Sequence, residues 1–163
     1  MALSIKPYIE NKERIHLIGI GGVSMSALGE LLLSLGVPVS GSDRLKTDVT
    51  ARLESLGAKI TYEHKAENVE GASLIVRTAA VHDDNPEIVR AHALDIPVME
   101  RAEAWGHLMR DYDNVVCLAG THGKTTSTSM MTLMTMEAGL DPTVMVGSNL
   151  PAIGGTLRIG GKG

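Results

Sequence analysis

The seven residues Gly120-Thr-His-Gly-Lys-Thr-Thr126 join a flexible turn, a cation and hydroxyls between a β-branched run and a helical pattern. Backbone amides in such a loop can wrap phosphate oxygens, Lys124 can neutralise charge between the β and γ phosphates, and the Thr125 hydroxyl can ligate Mg²⁺. These are the parts of a P-loop in variant spacing, because Leu118 stands where the ordinary pattern has its first glycine. An unrelated surface lysine at a helix start would work against the helix dipole. A second turn, Gly19-Ile-Gly-Gly-Val-Ser24, also sits where a strand pattern gives way to a helix. There glycines let the chain approach a diphosphate, and the first helical amides attract it. Asp43 follows Gly21 by 22 residues, the position at which dinucleotide-binding domains hold ribose hydroxyls. The third glycine of that fingerprint is replaced by Ser24. Two phosphate-type turns imply two nucleotides, or a nucleotide and a nucleotide-linked substrate, one of them ATP.

The elements that must carry these turns follow from hydrophobic period and breakers. Strand patterns fall at Ile15 to Ile20, Val37 to Gly41, Lys59 to Tyr62, Leu74 to Thr78 and Val98 to Glu100. Helical patterns fill the gaps at Met25 to Leu35, Thr50 to Leu56, Pro86 to Leu94 and Ala102 to Met109. This alternation predicts an α/β fold, a Rossmann-like parallel sheet with flanking helices and strands buried on both faces. The polar stretch Arg110 to Asn114 reads as a boundary, dividing a domain over residues 1–111 from the start of a P-loop ATPase domain over 112–163. In the latter we expect a strand at Val115 to Ala119, a helix from Lys124 to Ala138, a strand at Thr143 to Val146, and a loop over the glycine-rich tail from Gly154.

Composition excludes several classes. The 163 residues carry 44% hydrophobic and 21% charged side chains, which fits a folded globular chain rather than a disordered one. Apolar runs are too short for a membrane span, and the first residues turn polar before any leader-length apolar core, so a cytoplasmic location is expected. The net charge of -4, no basic stripe and 2% aromatics argue against a nucleic-acid partner. None of the six histidines has zinc-type spacing, and His82-Asp-Asp84 reads as a solvated loop. Cys117, on an expected apolar strand, reads as a buried inert thiol. The methionine-rich face of the Lys124 helix reads as core and Trp105 as packing at the domain junction.

Taken together, HLIGIGGVSMSALGE, SGSD after the second strand, GTHGKTT, His64-Lys-Ala-Glu-Asn-Val69, Asp84-Asn-Pro-Glu87 and Arg101-Ala-Glu103 resemble the Mur ligases of cell-wall synthesis. The resemblance is to the branch that joins L-alanine to UDP-N-acetylmuramate. It implies a three-domain enzyme of which this chain matches the first domain and the start of the second. It implies ATP and Mg²⁺ as cofactors, with Lys124 stabilising the transferring phosphoryl group and Thr125 holding the metal. Gly120, Thr121, His122, Gly123 and Thr126 would complete the ATP loop. Gly19, Gly21, Gly22, Ser24, Met25 and Ser26 would lie at the UDP diphosphate, with Ser42, Asp43, His64 and Thr78 near the uridine. The sequence departs from the pattern at Ser24, at Glu63 before His64, and at Thr78-Ala79.

Beyond Lys124 the only acids are Glu137 and Asp141. Both lie around the far end of a helix that rises about 1.5 Å per residue, so neither can reach a metal at the loop. The chain alone is therefore expected to bind nucleotide without ligating, and Met130, Met131, Leu133, Met134 and Met136 to be partly exposed or covered by a partner. Two other readings compete. An NAD-dependent dehydrogenase accounts for the first turn and Asp43 but not for GTHGKTT; a non-catalytic nucleotide-binding regulator accounts for the missing acids.

Overall fold

The computed structural model describes residues 3–161, which form two compact units, one ending at Leu108 and the next beginning at Met109. In the first unit a short helix α1 (Lys6–Glu10) precedes five strands: β1 (Ile15–Ile18), β2 (Val39–Ser42), β3 (Lys59–Thr61), β4 (Leu74–Arg77) and β5 (Val98–Glu100). Between and after them run α2 (Val23–Ser34), α3 (Asp48–Ser55), a 3₁₀ turn at Ala66–Val69, α4 (Pro86–Ala93) and α5 (Arg101–Met109). The strands are all parallel in the order β3-β2-β1-β4-β5, that of a doubly wound nucleotide-binding sheet. Burial on both faces holds for β1 and β2, whereas β3 at the sheet edge is largely exposed, as an edge strand can be.

Side-chain alternation along β1 sorts the two layers. Leu17 and Ile20 meet the α2 backbone at Gly29, beside Leu53 of α3. Ile18 turns the other way and packs with Ile75, Val69, Ile88 and Ala91, the core beneath α4. His16 shares the Ile18 face, and the register sets it beside Ser40 and sets Ile18 beside Ser42. That face therefore carries polar groups into the interior.

Gly41 is required by close approach. A Cβ there would come 2.7 Å from the Leu17 carbonyl oxygen and 2.6 Å from Ile20 Cδ1. Backbone cannot yield as a flexible side chain can, so Gly41→Ala is expected to destabilise the first unit by about 1–3 kcal/mol. Urea unfolding followed by the sole tryptophan, Trp105, measures it.

The second unit corrects four expectations. Residues 115–119 form no strand; Val115 and Val116 are 47% and 65% exposed, and Cys117 is exposed rather than buried. A β-branched run becomes a strand only where neighbours take up its backbone groups, and none lies alongside it among the described residues. The tail is not a loop: β6 (Val144–Leu150) and β7 (Gly155–Arg158) pair antiparallel, joined through a 3₁₀ turn at Pro151–Ile153. Leu157 turns inward there, and Arg158 ties the hairpin to Asp141 and the Pro142 carbonyl. Against β6 packs α6 (Lys124–Glu137). Its many hydroxyls bond back along the helix, Thr128 to the Lys124 carbonyl and Thr132 to that of Thr128. The methionine face is not core but exposed, which agrees with the other expectation for these side chains: Met130 is 59% and Met134 69% exposed, with Met131 and Leu133 also exposed and Met136 half-buried.

Candidate functional site

The four helices of eight residues or more with a described N-cap fall into two pairs. In α3 the Thr47 hydroxyl accepts from the Thr50 amide while the Thr50 hydroxyl accepts from that of Thr47, a reciprocal capping box. In α4 the Asn85 side chain accepts from the Glu87 amide. The N-caps of α2 and α6 are Gly22 and Gly123, and no side chain caps either helix. Each therefore ends in first-turn amides that an anion can satisfy, at the positive end of the dipole. Gly123 has φ +76°, a left-handed conformation that favours glycine. The two bare N-termini are those that follow the two glycine turns.

Around the first turn, the Gly19 and Ile20 amides donate to the Ser42 carbonyl at 2.8 and 3.0 Å, which fixes the end of β1 against the end of β2. Asp43 Oδ2 accepts from the Gly21 amide at 2.8 Å, and its Oδ1 accepts from the Arg44 and Leu45 amides. Asp43 thus braces the turn, and the Gly21 amide is already engaged. Gly21 is also confined, since a Cβ there would sit 2.8 Å from Asp43 Oδ2. Thr78 lies beside Gly19. Met25 is fully buried and the buried Ser26 hydroxyl donates to the Val23 carbonyl, so the side chains of both point into the fold and their backbone amides are what they can offer a ligand.

Ser24, which stands where the fingerprint has glycine, has a partner that spacing does not disclose. Trp105 Nε1 donates to the Ser24 hydroxyl at 3.1 Å and to its carbonyl at 3.3 Å. Trp105 therefore packs onto the start of α2 inside the first unit.

Beside Ser42 lies a buried polar hub centred on Glu87. Its Oε1 accepts from His16 Nε2 at 3.0 Å and Asn68 Nδ2 at 2.9 Å; its Oε2 accepts from His64 Nδ1 at 2.7 Å and the Ser42 hydroxyl at 2.8 Å. Burial pushes the Glu87 carboxyl up, but the hydrogen bonds from His16, Asn68, His64 and Ser42 outweigh it and hold the group below the ordinary glutamate value. Glu87 and Asn68 were not among the expected site residues.

In the second unit Lys124 Nζ donates to the carbonyls of Gly120 and Thr121 at 2.6 and 3.2 Å, folding over its own loop. Thr121, His122, Gly123 and Thr126 are exposed. Thr125 is half-buried, and a Cβ on Gly147 of β6 would come 3.0 Å from its hydroxyl. Asp141 is engaged by Arg158 and the Gly161 amide, at the opposite end of α6 from Lys124.

Against known proteins, the Mur ligase family catalytic domain matches residues 14–113, more than half of the chain. The chain belongs to the Mur ligase family. A UDP-N-acetylmuramate–L-alanine ligase of Acetivibrio thermocellus is 50% identical over 148 residues, covering 91% of this chain and 32% of that protein. The UDP-N-acetylmuramate–alanine ligase structure from Thermotoga maritima superposes with a TM-score of 0.85 at 37% identity, over 91% of this chain and 35% of that one. A Neisseria ligase of UDP-N-acetylmuramate and L-alanyl-γ-D-glutamyl-meso-diaminopimelate gives a TM-score of 0.83 at 27% identity, covering 90% and 46%. This Mur ligase chain thus spans about a third of the length of the curated relatives it matches. No helix among the described residues is long and apolar enough to cross a membrane.

Proposed function

We propose that this chain carries the nucleotide-sugar unit and the phosphate loop of an ATP-dependent ligase that joins L-alanine to the lactyl carboxylate of UDP-N-acetylmuramate. The observation that carries the reading is the pairing of bare helix N-termini with glycine turns in a chain whose other long helices with a described N-cap are capped by their own side chains. The 50% identity to a ligase of that name supports the choice of substrates. The domains are taken as residues 1–111 for UDP-N-acetylmuramate and 112–163 for the beginning of the ATP-binding part.

In the first unit the α2 amides of Val23, Ser24 and Met25 receive the diphosphate, with Gly19 and Gly22 allowing close approach. Ser42, Asp43, His64 and Thr78 border the place of the uridine. In the second, the loop from Gly120 to Thr126 cradles the ATP phosphates, and Lys124 leaves its own carbonyls to neutralise charge on the γ-phosphoryl group. That group passes to the lactyl carboxylate and ADP leaves. The alanine amine then attacks the acyl carbon, and phosphate leaves as the amide forms. Mg²⁺, when bound, offsets the charge that gathers on the phosphoryl oxygens, and Thr125 supplies one hydroxyl for it. The acids beyond Lys124, Glu137 and Asp141, lie at the far end of α6 from that hydroxyl, so binding without turnover is expected of the chain by itself.

A thermal-shift panel tests the reading, since a ligand that binds only the folded state raises its stability by mass action. UDP-N-acetylmuramate, UDP and Mg-ATP should each raise the melting temperature and NAD should not. Stabilisation by NAD without UDP compounds would replace the ligase reading with the dehydrogenase one.

A further inference from the structure

Glu87 is fully buried, and the proposed chemistry does not use it. An ionised carboxylate is an acceptor only, so each ring nitrogen that faces Glu87 must carry its proton. For His64 that nitrogen is Nδ1, at 2.7 Å, and in the neutral ring the lone pair then belongs to Nε2. Nε2 has no protein partner among the described residues and is not among the buried unpaired atoms, and the His64 side chain is 17% exposed where that of Glu87 is not exposed at all. The same carboxylate oxygen takes the Ser42 hydroxyl, and the Ser42 carbonyl holds the amides of the first glycine turn. One buried group thus locks both Ser42, whose carbonyl holds the turn, and His64, whose Nδ1 lies 3.1 Å from the Ser42 hydroxyl.

We infer that Glu87 is a positioning residue: it fixes the His64 tautomer so that Nε2 offers an acceptor at the nucleotide edge to a hydrogen-bond donor of the uridine, either the ring N3–H or a ribose hydroxyl. This rests on the uridine reading above. Where the donor is N3–H, this also gives His64 a part in specificity, because a base without a donor at that place would present a lone pair to a lone pair.

The test uses the full chain with ¹⁵N-labelled histidine at pH 8, where NMR shifts of the two ring nitrogens report which is protonated. His64 should show a protonated Nδ1 and a bare Nε2, and the Nε2 signal should move on addition of UDP. Glu87→Gln turns an amide donor toward one pair of partners. It should release the single tautomer and weaken UDP binding about tenfold, the size of one hydrogen bond. CDP lacks the N3–H and the 2′- and 3′-deoxy analogues each lack a hydroxyl, so the analogue that loses about tenfold identifies the donor. If all three bind like UDP, the inference is overturned. Should Glu87→Gln not fold, the wild-type tautomer decides: UDP bound to a chain whose His64 carries its proton on Nε2 overturns this inference alone. UDP that fails to bind wild type overturns the uridine reading and this inference with it.

Discussion

Replacing Glu87 by alanine is expected to cost about 3–5 kcal/mol of stability. The substitution removes the acceptor of four donors at once, and His16 and Ser42, both buried, have no water to turn to. The contribution depends on pH with a definite sign. Because the folded carboxyl titrates below its unfolded value, the hub's stabilisation is fully present above the ordinary glutamate pKa of about 4.3 and is lost as the pH falls through the folded value. Urea midpoints of wild type and Glu87→Ala should accordingly converge as the pH is taken from 7 toward 3. Parallel midpoints over that range would show that the network contributes no charge-dependent stability.

The second large effect is expected at Lys124. In the free chain Nζ is held by the Gly120 and Thr121 carbonyls, interactions exposed to water and easily exchanged for phosphate oxygens. Lys124→Met removes the cation while keeping length and helix propensity. Mg-ATP should bind about tenfold to hundredfold more weakly, as fits the loss of a charge-assisted contact, with stability changed by less than about 1 kcal/mol. Isothermal titration and thermal unfolding of the same preparation separate these. Unchanged ATP affinity would mean that the loop holds no triphosphate.

How far these features were legible in the sequence depended on whether the signal was local. The five-stranded sheet could be read because β1 and β4 are short, largely apolar runs and helical periods separate the strand patterns. Both glycine turns announced themselves by residue type and order. The second unit was harder. Val115 to Ala119 has a strand's composition without a strand's neighbours, and pairing is a property of two segments, not one. In the tail, the glycines hid the alternation that sends Leu157 inward in β7. The Glu87 hub was invisible for a similar reason: its partners lie 19 to 71 residues away along the chain, brought together only when α4 docks on the face shared by His16 and Ser42. Ser24 shows the converse. Read alone it is a lapse from a glycine fingerprint, whereas its hydroxyl is the acceptor for Trp105, 81 residues later.

The most direct measurement is a crystal structure of this chain grown with UDP-N-acetylmuramate. The proposed function puts the diphosphate on the bare N-terminus of α2, over Gly22 to Met25, with the uridine against Ser42 and His64. A sugar nucleotide seated anywhere else, while that helix end stays capped by solvent at saturating ligand, would contradict it.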